Sequence, residues 1–203
     1  MAYISLDMLP QVKAGQKIGL FGGTFNPPHE GHVLVANTAL RCLGLDRLWW
    51  MVTPGNPLKA NVHLPSIKHR VAASALLLKS FECIDITAFE AALASKNSFE
   101  TLRYLSTQES LHGVNFVWII GGDSLANFHL WYRWQDLAAM LPIAVVWRPT
   151  ALGVELNSVF AKYYKKARIA EQDAEQLAFK LPPAWCYLRG ELSNQSSTNL
   201  RMR

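Results

Sequence analysis

The sequence predicts an α/β protein with a doubly wound, mostly parallel β-sheet. Short apolar segments of strand length alternate along the chain with segments whose apolar residues recur at helical spacing. The strand-like segments are almost continuously apolar, as in parallel strands that helices cover on both faces. Three glycine-rich or hydroxyl-rich turns, at residues 22–32, 121–124 and 196–201, fall where a predicted strand ends and a helix begins. Open α/β sheets bind ligands at that edge, so we expect one nucleotide site there.

The composition is that of a globular protein, with 50% hydrophobic and 17% charged residues in a chain of 203. This length is sufficient for one domain with a buried core. Residues 1–16 lack the charged start and apolar block of a signal peptide, and we interpret them as an N-terminal extension to a single domain over residues 17–203. No apolar run approaches the roughly 20 residues of a membrane span, so no membrane partner is expected.

The charge and the cysteines indicate the kind of ligand and the compartment. A net charge of +5 suits an anionic ligand. The basic residues are scattered, and no block exceeds a pair such as 165–166, so nucleic acid is not an expected partner. Cys42, Cys83 and Cys186 are odd in number and show no CxxC spacing, which favours buried thiols in a reducing cytoplasm. The sequence leaves the oligomeric state open.

The first predicted strand and helix enclose the most distinctive segment. Residues 18–21 are apolar and are followed by Gly22, Gly23 and a proline-rich turn. Glycines let a backbone approach a ligand closely, and the free N–H groups at a helix start attract an anion. His29 and His32 lie one helical turn apart and therefore face the same side. The segment predicts a phosphate site, although it matches neither the P-loop nor the GxGxxG motif. The helix after it has an apolar face of Val33, Ala36, Leu40 and Leu43.

The remaining elements alternate in the same way. Ser66 is the expected N-cap of a second helix, and Ser98 that of a third. Residues 150–181 are more polar and only weakly periodic, so we expect an exposed helix or a partly mobile insert there, not a second domain. The second helix has an apolar face of Ile67, Val71, Ala75 and Leu78. Further strands are predicted at residues 47–52, 83–86, 116–120, 142–147 and 185–188.

Three further segments each allow a functional and a purely structural interpretation. Asp123, after a pair of glycines, is compatible with a ligand contact and with an ordinary helix cap. The segment 196–201 places hydroxyls before a helix turn and Arg201 at the next turn, which predicts either an anion-binding terminus or a frayed tail. Trp131 and Tyr132 belong to an aromatic cluster that favours core packing. Because these two are adjacent, one of them should face out of any helix.

These motifs together resemble a known enzyme family. The stretch Gly-Gly-Thr-Phe-Asn-Pro-Pro-His-Glu-Gly-His at 22–32 resembles the GGTFxPxHxGH signature of the HxGH nucleotidyltransferases. From about residue 17 to its end the chain resembles bacterial nicotinate-nucleotide adenylyltransferase. Besides the signature, the matching pieces in family order are residues 53–59, 98–102, 119–131 and 196–201.

The resemblance implies a Rossmann-like nucleotidyltransferase fold and the transfer of AMP from ATP to nicotinate mononucleotide, giving deamido-NAD and pyrophosphate in NAD biosynthesis. It implies Mg²⁺ as the ion that accompanies ATP, held mostly by phosphates and water, and no residue is assigned as its ligand. The implied catalytic residues are His29, His32 and Arg201. The implied ATP contacts are Gly22, Gly23, Thr24, Phe25, His29, His32, Gly121, Asp123, Ser197, Thr198 and Arg201. The implied contacts of nicotinate mononucleotide are Asn56, Lys59, Ser98, Thr101, Trp131, Tyr132 and Arg148.

Two alternatives stand beside this function. Nicotinamide mononucleotide or phosphopantetheine is a possible acceptor within the same class of enzyme. A non-catalytic nucleotide-sensing or RNA-associated module is the alternative from a different class. His29, His32 and Arg201 argue against the second alternative, because a module that does no chemistry needs no such set.

Overall fold

The computed structural model describes residues 4–5, 8–55, 64–93, 97–147 and 154–189. These residues form one seven-stranded sheet in which every strand pair is parallel. The strands in chain order are β1 (Ile4–Ser5), β2 (Lys17–Gly23), β3 (Arg47–Val52), β4 (Ile84–Thr87), β5 (Asn115–Gly121), β6 (Ile143–Val146) and β7 (Trp185–Leu188). Their order across the sheet is β1-β4-β3-β2-β5-β6-β7.

Helices cover both faces of the sheet, as the sequence predicted. Leu43 and Val71 lie in a buried cluster on one face, and Leu102 and Leu137 lie in a second cluster on the other face. The predicted doubly wound α/β fold is therefore confirmed. The helices are α1 (Glu30–Leu43), α2 (Ile67–Leu77), α3 (Ser98–Ser106), α4 (Gly122–Ala126), α5 (Trp134–Met140) and α6 (Val159–Tyr163).

The strand order creates a crevice between β2 and β5. After β2 the chain builds the sheet in one direction, through β3 and β4, and after β5 it builds in the other, through β6 and β7. The pairing of β2 with β5 ends at Phe21 and Ile119, just before the glycines that end the two strands. Such a reversal of strand order leaves an open site beyond the carboxyl ends of the strands. The glycine turns at 22–23 and 121–122 therefore lie at one edge.

Several predicted elements match the structure closely. The strands predicted at 47–52 and 185–188 are β3 and β7 with the same bounds, and the other predicted strands differ by one or two residues at an end. The hydroxyl of Ser66 accepts the N–H of His69 at 3.2 Å, so the predicted N-cap of α2 is confirmed.

Two predictions need correction. The N-cap of α3 is Asn97 and not Ser98, because the carbonyl of Asn97 accepts the first helical N–H groups, those of Glu100 and Thr101, at 3.0 and 3.2 Å. The expectation of an exposed helix or a partly mobile insert at 150–181 holds only in part: the described residues form 3₁₀ turns around the short α6, and many side chains are exposed, but others are buried. Phe160 of that part is buried on one face of the sheet and Leu177 on the other, so the segment wraps the β7 edge.

The segment before residue 17 also contacts the sheet. Ile4 and Ser5 form the edge strand β1 beside β4, with Ile4 opposite Ile86. Leu9 and Val12 pack against one of the buried clusters. The division into an extension and a domain stays a prediction, but part of the leading segment adds to the sheet. Within the described ranges, the chain contains no helix that is both long enough and apolar enough to cross a membrane.

Candidate active site

The glycine loop after β2 turns sharply because its phenylalanine is buried. Phe25 has a φ of 45°, a left-handed conformation that side chains rarely adopt. Its ring stacks on Trp50 at a centroid distance of 4.0 Å, and this packing holds the loop in place. A Cβ at Gly23 would lie 3.0 Å from the Phe25 ring, so a larger residue there would require the ring to shift. With its ring buried, Phe25 fixes the path of the main chain from Gly22 to Thr24 at the carboxyl end of β2.

His29 and His32 meet at the start of α1, as their spacing predicted. Their ring centroids are 3.8 Å apart. The main-chain N–H of His29 donates a hydrogen bond of 3.3 Å to Nδ1 of His32. A neutral imidazole that accepts at Nδ1 carries its proton on Nε2, so Nε2 of His32 is a donor. Both rings stand where the first N–H groups of a 14-residue helix concentrate positive potential.

The second glycine turn lies next to this loop in the sheet. β5 ends at Gly121, which is also the N-cap of α4, and Asp123 follows in the first turn of that helix with its side chain exposed. The structure therefore brings Gly121 and Asp123 to the same sheet edge as the glycine loop. Asp123 is not the N-cap of α4, which removes the ordinary capping role that its position suggested.

The first turn of α3 is hydrogen-bonded to the buried carboxyl of Glu90, which the sequence did not indicate as important. The hydroxyl of Thr101 donates a hydrogen bond of 2.7 Å to Oε1 of Glu90, and both residues are buried. Burial raises the pKa of the Glu90 carboxyl, and the bond from Thr101 opposes that shift. Thr101 was predicted to contact substrate, but its hydroxyl is engaged with Glu90. Its position indicates that it anchors the first turn of α3.

Trp131 and Tyr132 lie beside that first turn. Trp131 is half-buried and stacks on Phe128 at 5.0 Å and 27°. Tyr132 is 55% exposed, so the expectation that one of the pair faces outward is confirmed. The Tyr132 ring meets Phe99 edge-on at 6.2 Å, and this contact brings Tyr132 close to Ser98, the first residue of α3. The predicted acceptor residues of these two segments are therefore neighbours.

Six predicted site residues lie outside the described residues: Asn56, Lys59, Arg148, Ser197, Thr198 and Arg201. Their roles stay predictions. The described part of the site offers main-chain donors, two imidazoles and an aromatic ring, and it suits an anion joined to a flat ring. Among the described residues, no three His, Cys, Asp or Glu side chains gather as a metal site.

Comparisons with known proteins show the family to which the chain belongs. A family model of cytidylyltransferase-like proteins matches residues 20–203. A protein of Rhizobium meliloti (strain 1021) named probable nicotinate-nucleotide adenylyltransferase is 49% identical over 184 residues, which is 91% of this chain and 96% of the relative. A protein of the same name from Mesorhizobium japonicum is 47% identical over 193 residues, or 95% of this chain and 97% of the relative.

Solved structures support the fold. The nicotinic acid mononucleotide adenylyltransferase of Plasmodium falciparum, complexed with NaAD, superposes with a TM-score of 0.64 over 92% of this chain and 83% of that one, at 16% identity. A nicotinate-nucleotide adenylyltransferase from Vibrio parahaemolyticus superposes with a TM-score of 0.55 over 68% of this chain and 78% of that one, at 18% identity. With the family match and relatives that align over nearly their whole length, the chain belongs to the cytidylyltransferase-like family and, with these bacterial relatives, to the nicotinate-nucleotide adenylyltransferases.

Proposed function

We propose that this chain transfers AMP from ATP to nicotinate mononucleotide, giving deamido-NAD and pyrophosphate in NAD biosynthesis. The observation that carries the proposal is the pair of imidazoles, 3.8 Å apart, at the helix start that follows the glycine loop. That pair lies at the reversal point of the sheet in a chain that is 49% identical to a probable nicotinate-nucleotide adenylyltransferase.

The chemistry needs positioning and charge stabilisation but no enzyme nucleophile. A phosphate oxygen of the acceptor attacks the α-phosphorus of ATP, and pyrophosphate leaves. Negative charge moves toward the leaving oxygens in the transition state. The Nε2–H of His32 and the main-chain N–H groups of the glycine loop are donors suited to that charge. Arg201, predicted from the sequence, would add a cationic donor on the same side.

The acceptor is proposed to lie between α3 and the Trp131–Tyr132 segment. The main-chain N–H groups of Ser98 and Phe99 precede the first helical hydrogen bond of α3 and can receive a carboxylate. Trp131 stacks on Phe128 with one face and can stack on a pyridine ring with the other. These contacts favour an acid over an amide, because main-chain donors meet a negative acceptor.

Mg²⁺ is proposed as the companion of ATP. The described residues near the glycine loop offer donors and no cluster of carboxylates, which fits an ion that reaches the site on the phosphate oxygens and keeps water in its shell. When bound, its charge would reduce the repulsion among the phosphate oxygens, and His32 and the glycine loop would donate hydrogen bonds to them. A cytoplasmic location fits these nucleotide substrates and the three cysteines without a disulfide partner, although the expectation of buried thiols holds only for Cys186, since Cys42 is half-buried and Cys83 is exposed.

The test is product formation with purified protein, ATP, Mg²⁺ and nicotinate mononucleotide. We expect equimolar deamido-NAD and pyrophosphate, identified by mass. Parallel reactions with nicotinamide mononucleotide and with phosphopantetheine test the other acceptors. Pyrophosphate release with one of these and none with nicotinate mononucleotide would assign a different acceptor. ATP binding without product from any acceptor would indicate the non-catalytic nucleotide-sensing alternative.

A further inference from the structure

A buried arginine joins two loops of the site. Arg70, on α2, is 2% exposed. Its Nη1 donates to the main-chain carbonyl of Thr24 at 2.6 Å and to that of Thr53 at 2.8 Å. Its Nε donates to the carbonyl of Pro65 at 3.0 Å. Thr24 belongs to the glycine loop and Thr53 follows the last residue of β3, so one side chain links the ends of two neighbouring strands.

The geometry of the two strands explains why a donor is needed at this point. The last main-chain bond between them runs from the N–H of Thr53 to the carbonyl of Gly23, at 3.0 Å. Beyond it the carbonyls of Thr24 and Thr53 are both acceptors and cannot bond to one another. Both carbonyls belong to partly buried residues, and main-chain carbonyls withdrawn from water are nearly always hydrogen-bonded. The two hydrogens of Nη1 supply one to each, so Arg70 continues the link between β2 and β3 past the end of their pairing.

The charge of Arg70 is compensated by these carbonyls. No carboxylate of the described residues lies within ion-pair distance of it. Burial lowers the pKa of Arg70, but a guanidinium stays charged in proteins. A cation buried without a carboxylate is costly unless hydrogen bonds satisfy it. Its place directly behind the glycine loop adds positive potential where the phosphates of ATP are proposed to bind.

We propose that Arg70 is a positioning residue for nucleotide binding and transfer. It holds the glycine loop against the turn after β3, and it keeps the main-chain donors of that loop aimed at phosphate. It acts through Thr24 and Thr53 and touches no substrate itself. The proposal rests on the proposed function for the identity of the nucleotide, and it extends that function by assigning the residue that fixes the relative position of the two loops.

The test compares Arg70→Lys with Arg47→Lys. Arg47 is the matched control, because it begins β3 at the end opposite Thr53 and binds Asp85 with two bonds of 2.6 Å. Lysine keeps the charge but is about one bond shorter and lacks the planar fork. We expect Arg70→Lys to lose about 10- to 100-fold in kcat/KM for ATP, since a misplacement near 1 Å has that effect. Arg47→Lys should lower Tm while keeping kcat/KM within about twofold, because its contacts lie far from the site.

Chemical rescue separates positioning from general stability. Millimolar ethylguanidinium should restore part of the activity of Arg70→Ala and leave the parent and Arg47→Ala unchanged. Should Arg70→Ala not fold, Arg70→Lys alone decides. Near-parent activity of Arg70→Lys overturns the proposal, and so does an activity loss in both lysine variants that follows their loss of Tm.

The affinity for ATP tests the role of Arg70 even if the parent protein does not catalyse the proposed reaction. If the parent makes no deamido-NAD, the affinity for ATP measured by calorimetry replaces turnover. Weaker ATP binding by Arg70→Lys, by about tenfold relative to Arg47→Lys, then still supports the positioning role. Equal ATP affinities in the two variants overturn it.

Discussion

Nδ1 of His32 accepts a hydrogen bond of 3.3 Å from the main-chain N–H of His29. This single contact fixes which nitrogen of His32 carries the proton when the ring is neutral. It also orients the ring, because the donor belongs to the residue at which α1 begins. The protonated Nε2 is the nitrogen that can donate to a phosphoryl oxygen.

Replacing His32 by alanine should leave a folded protein with little activity. The loss of one donor to developing charge typically lowers the rate by about 10²–10³-fold. The measurement is kcat with saturating ATP and nicotinate mononucleotide, with the circular dichroism spectrum as the folding check. His112→Ala is the control, because His112 is exposed near the start of β5, at the other end of the strand from the site. A His32→Ala variant within a few-fold of the parent would assign His32 a structural role.

Gly23→Ala should disturb the glycine loop because the new methyl group crowds the Phe25 ring. The backbone of Gly23 does not have the left-handed conformation that only glycine adopts easily. The added Cβ would lie 3.0 Å from the Phe25 ring, whose stack on Trp50 leaves little room to move. Overpacking of this kind costs about 1–3 kcal/mol in the free energy of unfolding. Urea unfolding measures that loss, and the KM for ATP should rise with it. Gly55→Ala, where the nearest atom among the described residues is 3.8 Å away, is the steric control and should unfold like the parent.

Glu90 predicts a particular dependence of stability on pH. Burial raises the pKa of its carboxyl in the folded protein above its ordinary value near 4.5. The folded state then holds a proton on Glu90 that the unfolded state releases. The contribution of Glu90 to the free energy of unfolding is therefore fully present below about pH 4.5 and is lost as the pH rises through the pKa of the folded state. Tm measured against pH should therefore fall more steeply in the parent than in Glu90→Gln, which has no proton to lose. Parallel curves for the two proteins would mean that Glu90 ionises normally.

Arg201 is predicted to bind ATP phosphate from a terminal helix turn. Removal of residues 196–203 should raise the KM for ATP or abolish turnover while changing Tm little, because the role predicted for this terminus is contact with ATP and not packing in the core. Arg201→Lys keeps the positive charge but removes the planar guanidinium, so it tests the geometry of the phosphate contact alone. Normal turnover by the shortened protein would favour the alternative of a frayed tail.

The sequence predicted an element correctly where the strand is a continuous apolar run or where a motif has several characteristic residues close together. β7 and all of β3 after its first residue, Arg47, are unbroken apolar runs, and the predicted bounds of both strands match the structure. The histidine pair was predictable because helical spacing alone brings i and i+3 together. By contrast, β1 has two residues, too few to show a period. The described part of 150–181 consists largely of 3₁₀ turns, whose spacing differs from the 3.6-residue period that identifies an α-helix.

Arg70 and Glu90 could not be found from the sequence. Each is a charged residue in a segment of mixed composition, and such residues usually face solvent. The partners of Arg70 are main-chain carbonyls 46 and 17 positions away, and a carbonyl carries no side-chain signature. The partner of Glu90 is a threonine hydroxyl 11 positions along the chain. Only the folded chain brings these groups together.

The choice between an acid and an amide depends on the donors at the start of α3 and near Tyr132. Charge-assisted hydrogen bonds contribute about 1.5–3 kcal/mol each, more than neutral ones. An amide would place its NH₂ against those same N–H groups. Two such contacts predict a preference for nicotinate mononucleotide of at least about 10²-fold, since 1.4 kcal/mol corresponds to about tenfold. Trp131→Ala should weaken both acceptors equally, because stacking does not distinguish them.

The most direct test of the central claim is the ratio of kcat/KM for nicotinate mononucleotide to that for nicotinamide mononucleotide, measured with the parent protein at saturating ATP and Mg²⁺. We expect a ratio of about 10² or more in favour of the acid. In Trp131→Ala the two kcat/KM values should fall while their ratio is retained. A ratio near one in the parent would contradict the assignment of nicotinate as the acceptor and leave only the broader adenylyltransferase activity.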